Sequence, residues 1–279
     1  MKLAITGASG FIGRHVLAAL DRQGLQATLL LRGTPEGAAR SRHTVVAVDY
    51  LDETADLYVR AGRPDVLLHL AWGGLPHYHS LHHVETERPA QYRMLKAMVR
   101  SGLPKLVVAG TCFEYGLQSG PLAETLPCNP VNAYSQAKDA LRRELELLRR
   151  EQPFQLTWAR LFYLYGEGQS PNSLWSSLHS AAARGDAQFP MSGGEQLRDY
   201  LSASEAAGML LALAQRLHGD GIVNVCSGKP VSVRALVEGW ISERGWVIRP
   251  ELGRHAYSEH EAMAFWGDAA KLRQCLQPL

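Results

Sequence analysis

The four cysteines of this 279-residue chain, Cys112, Cys128, Cys226 and Cys275, include no CxxC pair. Without paired spacing there is neither a disulfide framework nor a zinc knuckle to read, and a reducing compartment is expected. No apolar run approaches the ~20 residues of a membrane span. The formal net charge is only +2. That gives no argument for a nucleic-acid partner or an anionic membrane, although it permits a local basic pocket. Internal repeats and low-complexity linkers are missing too. The segment Met1–Thr6 meets a glycine turn too soon for a signal peptide. These absences point to a cytoplasmic globular protein, and 46% hydrophobic with 20% charged residues suits a sizeable core. One large α/β domain with a smaller attached lobe fits this length.

What is present is an alternation of short apolar runs with longer amphipathic ones. Strands are expected at Leu3–Thr6, Ala27–Leu31, Val45–Val48, Asp65–Leu70, Leu106–Ala109 and Leu156–Leu161. Helices are expected over Phe11–Arg22, roughly Thr86–Arg100, and Ala133–Arg150. Uniformly apolar strands separated by helices are buried on both faces, the pattern of a doubly wound parallel sheet. After Tyr165-Gly166-Glu167-Gly168 the rhythm loosens and helices are expected to dominate. The expected division is a dinucleotide-binding domain over 1–165, to which a segment near 200–228 returns, and a smaller substrate-binding lobe over most of 166–279. The lobe would close a cleft at the carboxyl ends of the strands, where ligands bind in such sheets.

The turn Thr6-Gly7-Ala8-Ser9-Gly10-Phe11-Ile12-Gly13 joins the first strand to the first helix. Glycines here allow a tight turn and close backbone approach to a phosphate, and the helix N-terminus adds a positive dipole. Glycine spacing alone also marks plain surface turns; the strand before it and the helix after it favour the cofactor reading. An acid at the end of the second strand, which would take the adenosine ribose hydroxyls of NAD, is lacking. Leu30-Leu31-Arg32-Gly33 stands there, and Arg14 opens the first helix. Two guanidinium groups and no carboxylate favour a 2′-phosphate, hence NADPH, with NAD still open.

In Asn132-Ala133-Tyr134-Ser135-Gln136-Ala137-Lys138, the tyrosine and lysine stand four apart at the start of a helical run, on one face. A nearby ammonium lowers the pKa of a phenol. The pair can then relay a proton to or from a carbonyl or alcohol while a nicotinamide exchanges hydride.

With these motifs the chain resembles the extended short-chain dehydrogenases/reductases, in the branch acting on nucleotide sugars. The likeness runs from Lys2 to about Lys271. It implies a Rossmann-type doubly wound sheet. Asp49-Tyr50-Leu51-Asp52 is similar to the family's adenine-contacting segment; the blander reading is that the two acids simply cap a turn. His69-Leu70-Ala71-Trp72 resembles the fourth-strand motif beside the cofactor. Gly110-Thr111-Cys112-Phe113-Glu114-Tyr115-Gly116 resembles the fifth-strand segment, so the family's substrate-oxygen contact carries over to Thr111, with Cys112 and Phe113 beside the substrate. Gly194-Glu195-Gln196-Leu197-Arg198-Asp199-Tyr200 resembles the Arg-Asp segment whose arginine, Arg198 here, binds the diphosphate. Asn172-Ser173-Leu174 opens a helix and could offer N–H groups to the same diphosphate. Tyr163 stands where many members have a substrate-contacting Asn, which leaves the sugar nucleotide open.

The family's dehydratases carry Thr-Asp-Glu at the fifth-strand site. Thr111-Cys112-Phe113 lacks that acid pair, so dehydration is disfavoured. The resemblance then implies NADPH-dependent reduction of a nucleoside-diphosphate 4-keto-6-deoxy sugar, with Thr111, Tyr134 and Lys138 catalytic. Residue chemistry alone supports only hydride transfer between carbonyl and alcohol. One rival is a 4-epimerase that retains NAD; another is a redox sensor that holds NADP without turnover. Four histidines within His77-Tyr78-His79-Ser80-Leu81-His82-His83 invite a metal. Hydride transfer needs none, however, and no acid or cysteine completes a ligand set. A loop over the sugar, touching it through Trp72, His77 or Tyr78, is expected instead. The resemblance also implies a dimer through paired helices, though no stretch here demands one.

Overall fold

Leu3, Ala4, Ile5 and Thr6 are all buried, so the first strand β1 (Leu3–Thr6) has no solvent face. Such a strand must lie inside a sheet covered on both sides. The computed structural model, which describes residues 1–33, 42–51, 56–257 and 261–277, places it there. β2 (Ala27–Leu31), β3 (Thr44–Ala47), β4 (Val66–His69), β5 (Lys105–Thr111), β6 (Gln155–Leu161) and β7 (Gly221–Val225) complete a seven-stranded sheet in the order β7-β6-β5-β4-β1-β2-β3. Every neighbouring pair is parallel.

Successive side chains of a strand point to opposite faces, and two cores follow. Ile5, Leu29, Leu68, Val107 and Val223 pack under α1 (Phe11–Arg22), α5 (Ala203–Gln215) and α7 (Ala270–Leu276). Ala4, Leu30, Leu67, Val108 and Trp158 pack under α2 (Arg88–Arg100) and α3 (Ala133–Glu151). The chain is thus a doubly wound, Rossmann-like α/β fold. β1 pairs with β2 on one side and β4 on the other, so the strand order reverses there. A crevice opens at such a point, beyond the carboxyl ends of the strands.

Lys105 opens β5 one residue earlier than the apolar run suggests, and it is buried. Its ammonium donates to the carbonyls of Leu213 at 2.8 Å, Ala214 at 3.4 Å and Arg216 at 2.6 Å, ending α5 where a helix leaves carbonyls without partners. The helix expected at Thr86–Arg100 begins earlier, as a π-helical turn His83–Glu87 that runs into α2. Pro89 has no N–H to give back to the preceding turn, which favours a wider one there.

A further core lies on α4 (Leu174–Arg184) and α6 (Val233–Arg244), with Trp175, Leu178, Phe189, Val237 and Trp240 packed together. The chain also holds short strand pairs that the sequence does not announce. Tyr163–Tyr165 pairs with Tyr200–Ser202, and Gln188–Pro190 with Arg249–Glu251. Among the described residues no helix is long and apolar enough to cross a membrane.

Candidate active site

Gly7 has φ +71°, a region costly for any residue with a Cβ. A Cβ there would also stand 2.6 Å from the Ala71 nitrogen, and one at Gly13 would collide with the Gly7 carbonyl. β1, β4 and α1 therefore meet only through glycine. Gly10 caps α1 without a side-chain hydrogen bond, and the first turn carries no acid. The N–H groups at that helix start are thus left for an anion. Beside them lies a cavity bordered by Gly7, Ser9 and Gly10 from the turn, by Arg32 and Tyr50, and by Leu70, Ala71 and Trp72. A dinucleotide phosphate fits this cradle. Phe11 and Ile12 carry the turn into α1, with Phe11 edge-on to His15.

Two expected cofactor contacts sit differently. Arg14 does not border this cavity: its Nε donates to the Ser9 carbonyl at 3.0 Å, and its guanidinium lies beside Gly168. The two-arginine clamp on a 2′-phosphate is not assembled, and Arg32 alone faces the cavity. The Asp49 carboxylate accepts from the Leu51 N–H at 3.0 Å, so it caps its own turn and fixes Tyr50 and Leu51. Asp52 lies outside the described residues.

α3 starts at Asn132, whose side chain accepts from the Ser135 N–H. This sets the helix phase that turns Tyr134 and Lys138 inward, 8% and 2% exposed. Lys138 Nζ donates to the Ala109 carbonyl at 2.9 Å and lies 3.9 Å from the centre of the Trp72 ring. Burial lowers its pKa to about 7, against the opposing pull of Glu114 and Glu87. The Tyr134 phenol is pushed up, first by burial, with a hydrogen bond to Thr111 working the other way. The depression expected from the lysine is not seen here. The ammonium faces Ala109 and Trp72, 6.0 Å from the phenol ring centre.

Thr111 ends β5. Its hydroxyl accepts from the Phe113 N–H at 3.3 Å, so it both caps the following turn and meets Tyr134. Behind it, the fully buried Glu114 accepts from the Thr111 N–H at 2.9 Å and from Arg160 Nε at 2.7 Å.

Two further cavities adjoin. One is lined by Tyr78, Phe113, Asn132 and Glu261. The larger, about 540 Å³, is lined by Tyr163, Asn172, Leu174, Arg198, Tyr200 and Glu261. Arg198 is buried and ion-paired with Glu261 at 2.9 Å. Phe113, Asn172, Leu174 and Arg198 thus border these spaces. Cys112 is buried beneath the first, packed with Tyr115 and Phe162. His77 is exposed and its carbonyl is used by His83; Tyr78 and His79 are the loop residues that line the first space. Glu261 carries no motif and was invisible in the sequence.

Among the described residues the one group spaced for a shared ion is Glu114, Cys128 and Asp139. Glu114 is paired with Arg160, Asp139 with Arg142 and Arg143, and Arg160 donates to Cys128. The cations of this cluster are the protein's own, and no histidine of the 77–83 stretch belongs to it.

His69 ends β4 fully buried, with Nδ1 2.8 Å from the Thr6 hydroxyl. Burial first, then Lys138, lowers its pKa from 6.5 to about 3. The fold therefore holds it neutral, and its contribution is complete above pH 6.5 and lost as pH falls toward 3. Its share of the slope is about 1.4 kcal/mol per pH unit within that window. His69→Asn should flatten the decline of Tm on acidification; a variant with the wild-type acid slope would show that His69 is not the group that titrates.

The NAD dependent epimerase/dehydratase family model matches residues 3–226. dTDP-6-deoxy-L-talose 4-dehydrogenase (NAD(+)) of Aggregatibacter actinomycetemcomitans is 31% identical over 277 residues, 96% of this chain and 99% of that one. dTDP-6-deoxy-L-talose 4-dehydrogenase (NAD(P)(+)) of Kitasatospora kifunensis is 29% identical over 259 residues, covering 88% of this chain and 79% of that one. The solved structure of MoeE5 in complex with UDP-glucuronic acid and NAD shares the fold, with TM-score 0.84 and 24% identity over 99% of this chain and 92% of that one.

Proposed function

The chain belongs to the NAD dependent epimerase/dehydratase family, and from this we propose that it reduces a nucleoside-diphosphate 4-keto-6-deoxy sugar to the 4-hydroxy sugar with NADPH. The observation that carries the reading is the meeting of Tyr134, Thr111 and Lys138 at the strand ends, between the glycine turn and the cavities lined by Phe113 and Arg198. The relatives named as dTDP-6-deoxy-L-talose 4-dehydrogenases support the C4 position, the 6-deoxy sugar and a thymidine diphosphate. A dehydrogenase and a ketoreductase are one reaction run in two directions.

Gly7, Ser9, Gly10 and the start of α1 would hold the cofactor diphosphate, with Arg32, Tyr50, Leu70, Ala71 and Trp72 along its length. Nicotinamide bound there supplies the hydride. Tyr134 gives the proton to the sugar oxygen and Thr111 hydrogen-bonds that oxygen. Lys138, turned to the Ala109 carbonyl and the Trp72 ring, would hold the nicotinamide ribose beside Tyr134. Arg198 exchanges Glu261 for the substrate diphosphate, whose oxygens match its forked donors, near the Asn172–Leu174 helix start. Phe113 and Tyr78 face the sugar. The 1–165 region, with the return near 200–228, serves the cofactor, and the rest of 166–279 the sugar nucleotide, in the cytoplasm.

Arg32 should set the cofactor. A guanidinium–phosphate pair contributes about 1.5–3 kcal/mol, so Arg32→Asp should cut the NADPH-over-NADH ratio of kcat/KM by roughly 10–100-fold. A wild type that prefers NADH, with an unaltered ratio in the variant, would remove the 2′-phosphate from the account.

A further inference from the structure

The histidine-rich stretch is absorbed neither by the cofactor turn nor by the proton-handling groups, yet its geometry is specific. The turn His83–Glu87 is π-helical, a wide turn often found at functional sites. Its first and last side chains, His83 and Glu87, are 0% and 1% exposed. They grip the chain that leaves β4. Glu87 Oε1 accepts from the Gly73 N–H at 2.7 Å and the Tyr50 hydroxyl at 3.0 Å. His83 Nδ1 accepts from the Trp72 indole N–H at 3.1 Å, and Nε2 lies 3.0 Å from the His77 carbonyl. An indole N–H only donates and a carbonyl only accepts. His83 is therefore neutral, with its proton on Nε2.

Held this way, the Trp72 indole presents its face to the Lys138 ammonium at 3.9 Å and lies edge-on to the Tyr134 ring at 5.9 Å. The His83 ring packs on Tyr134 as well, at 5.4 Å. The Ala109 carbonyl fixes Lys138 from the other side. We propose that His83 is a positioning residue: through the Trp72 indole it holds the Lys138 ammonium and the Tyr134 phenol in the arrangement that hydride exchange at the sugar requires. This rests on the reading of Tyr134 as proton donor and Lys138 as its partner.

An aromatic face favours a cation against it, so a loosened Trp72 lets Lys138 lose its proton at lower pH. The charged groups that face Lys138 are Glu114 and Glu87, and it acts in turn on His69 and His83. His83 itself faces His82, Glu87 and Lys138.

The test compares His83→Phe, which keeps a ring but no acceptor, with His83→Asn, which keeps an acceptor near Nδ1. Both are made in the wild type and in Trp72→Phe. His83→Phe should lower kcat about 10–100-fold with KM little changed. It should also move the alkaline limb of the kcat profile down by roughly half to one pH unit. His83→Asn should recover most of the loss, and His83→Phe should add nothing once Trp72 is Phe. Wild-type kcat and an unmoved limb, additive losses, or no recovery with Asn would overturn the proposal. If the wild type turns over no 4-keto sugar nucleotide, the activity reading has failed, and the indole N–H resonance of Trp72 decides positioning alone. A resonance that shifts in His83→Phe and returns in His83→Asn supports it; one indifferent to residue 83 overturns it.

Discussion

Tyr134→Phe is expected to lower kcat by about 10²–10⁴-fold, the usual worth of a positioned general acid, while the protein binds cofactor as before. The substitution deletes one oxygen. The ring keeps its contacts with Trp72, Tyr78 and His83 at 5.9, 5.5 and 5.4 Å, and its backbone N–H still donates to the Tyr78 carbonyl at 2.9 Å. What goes is the hydroxyl that meets Thr111. Steady-state kinetics beside a cofactor titration separates the outcomes. A fall in kcat with unchanged cofactor Kd is the signature of a lost proton donor. A parallel loss of cofactor binding would mean that the hydroxyl supports the pocket, and unchanged kcat would mean that the proton comes from elsewhere. A redox sensor without turnover would show no activity to lose.

Glu114→Ala should be the most damaging change to stability among those considered, costing about 3–5 kcal/mol because it strands a buried charge. Arg160 and Glu114 are both 0% exposed and 2.7 Å apart. The same carboxylate accepts from Trp158 Nε1 at 2.9 Å and from the Thr111 N–H at 2.9 Å. Removing it leaves a guanidinium and two N–H groups without their acceptor on the strand ends that carry the site. For a chain of this size the loss corresponds to roughly 6–20 °C in Tm. Glu114→Gln, which keeps an acceptor but not the charge, should fall between. A Tm drop of only a degree or two in Glu114→Ala would show that Arg160 finds other company.

The fold was legible where its signals are local. β1, α1 and β2 begin and end where apolar runs, glycine turns and helix periodicity place them, because strands buried on both faces leave no ambiguity of face. The short strands are another matter. Gly120–Leu122 pairs with Phe265–Gly267, two segments of three residues each, far apart in the chain, with nothing in either naming its partner. The site divides the same way. The Gly7–Gly13 turn and the four-residue spacing of Tyr134 and Lys138 are local, and they could be read. Where a charged side chain points is not local. Arg14 turns to the Ser9 carbonyl rather than the cavity beside the glycine turn, and Lys138 turns to Ala109 and Trp72. Glu87 and Glu261 gain their roles only through partners distant in sequence, so no spacing rule could have found them.

The most direct test of net hydride transfer at C4 is to mix the purified protein with NADPH and a dTDP-4-keto-6-deoxy sugar. Loss of reduced-nicotinamide absorbance is followed, the product is examined at C4, and nucleotide released on denaturing untreated protein is identified. Stoichiometric NADPH oxidation, with a new C4 hydroxyl and no resident dinucleotide, is the predicted result. Tightly held NAD, interconversion of C4 epimers and no net oxidation of NADPH would contradict it.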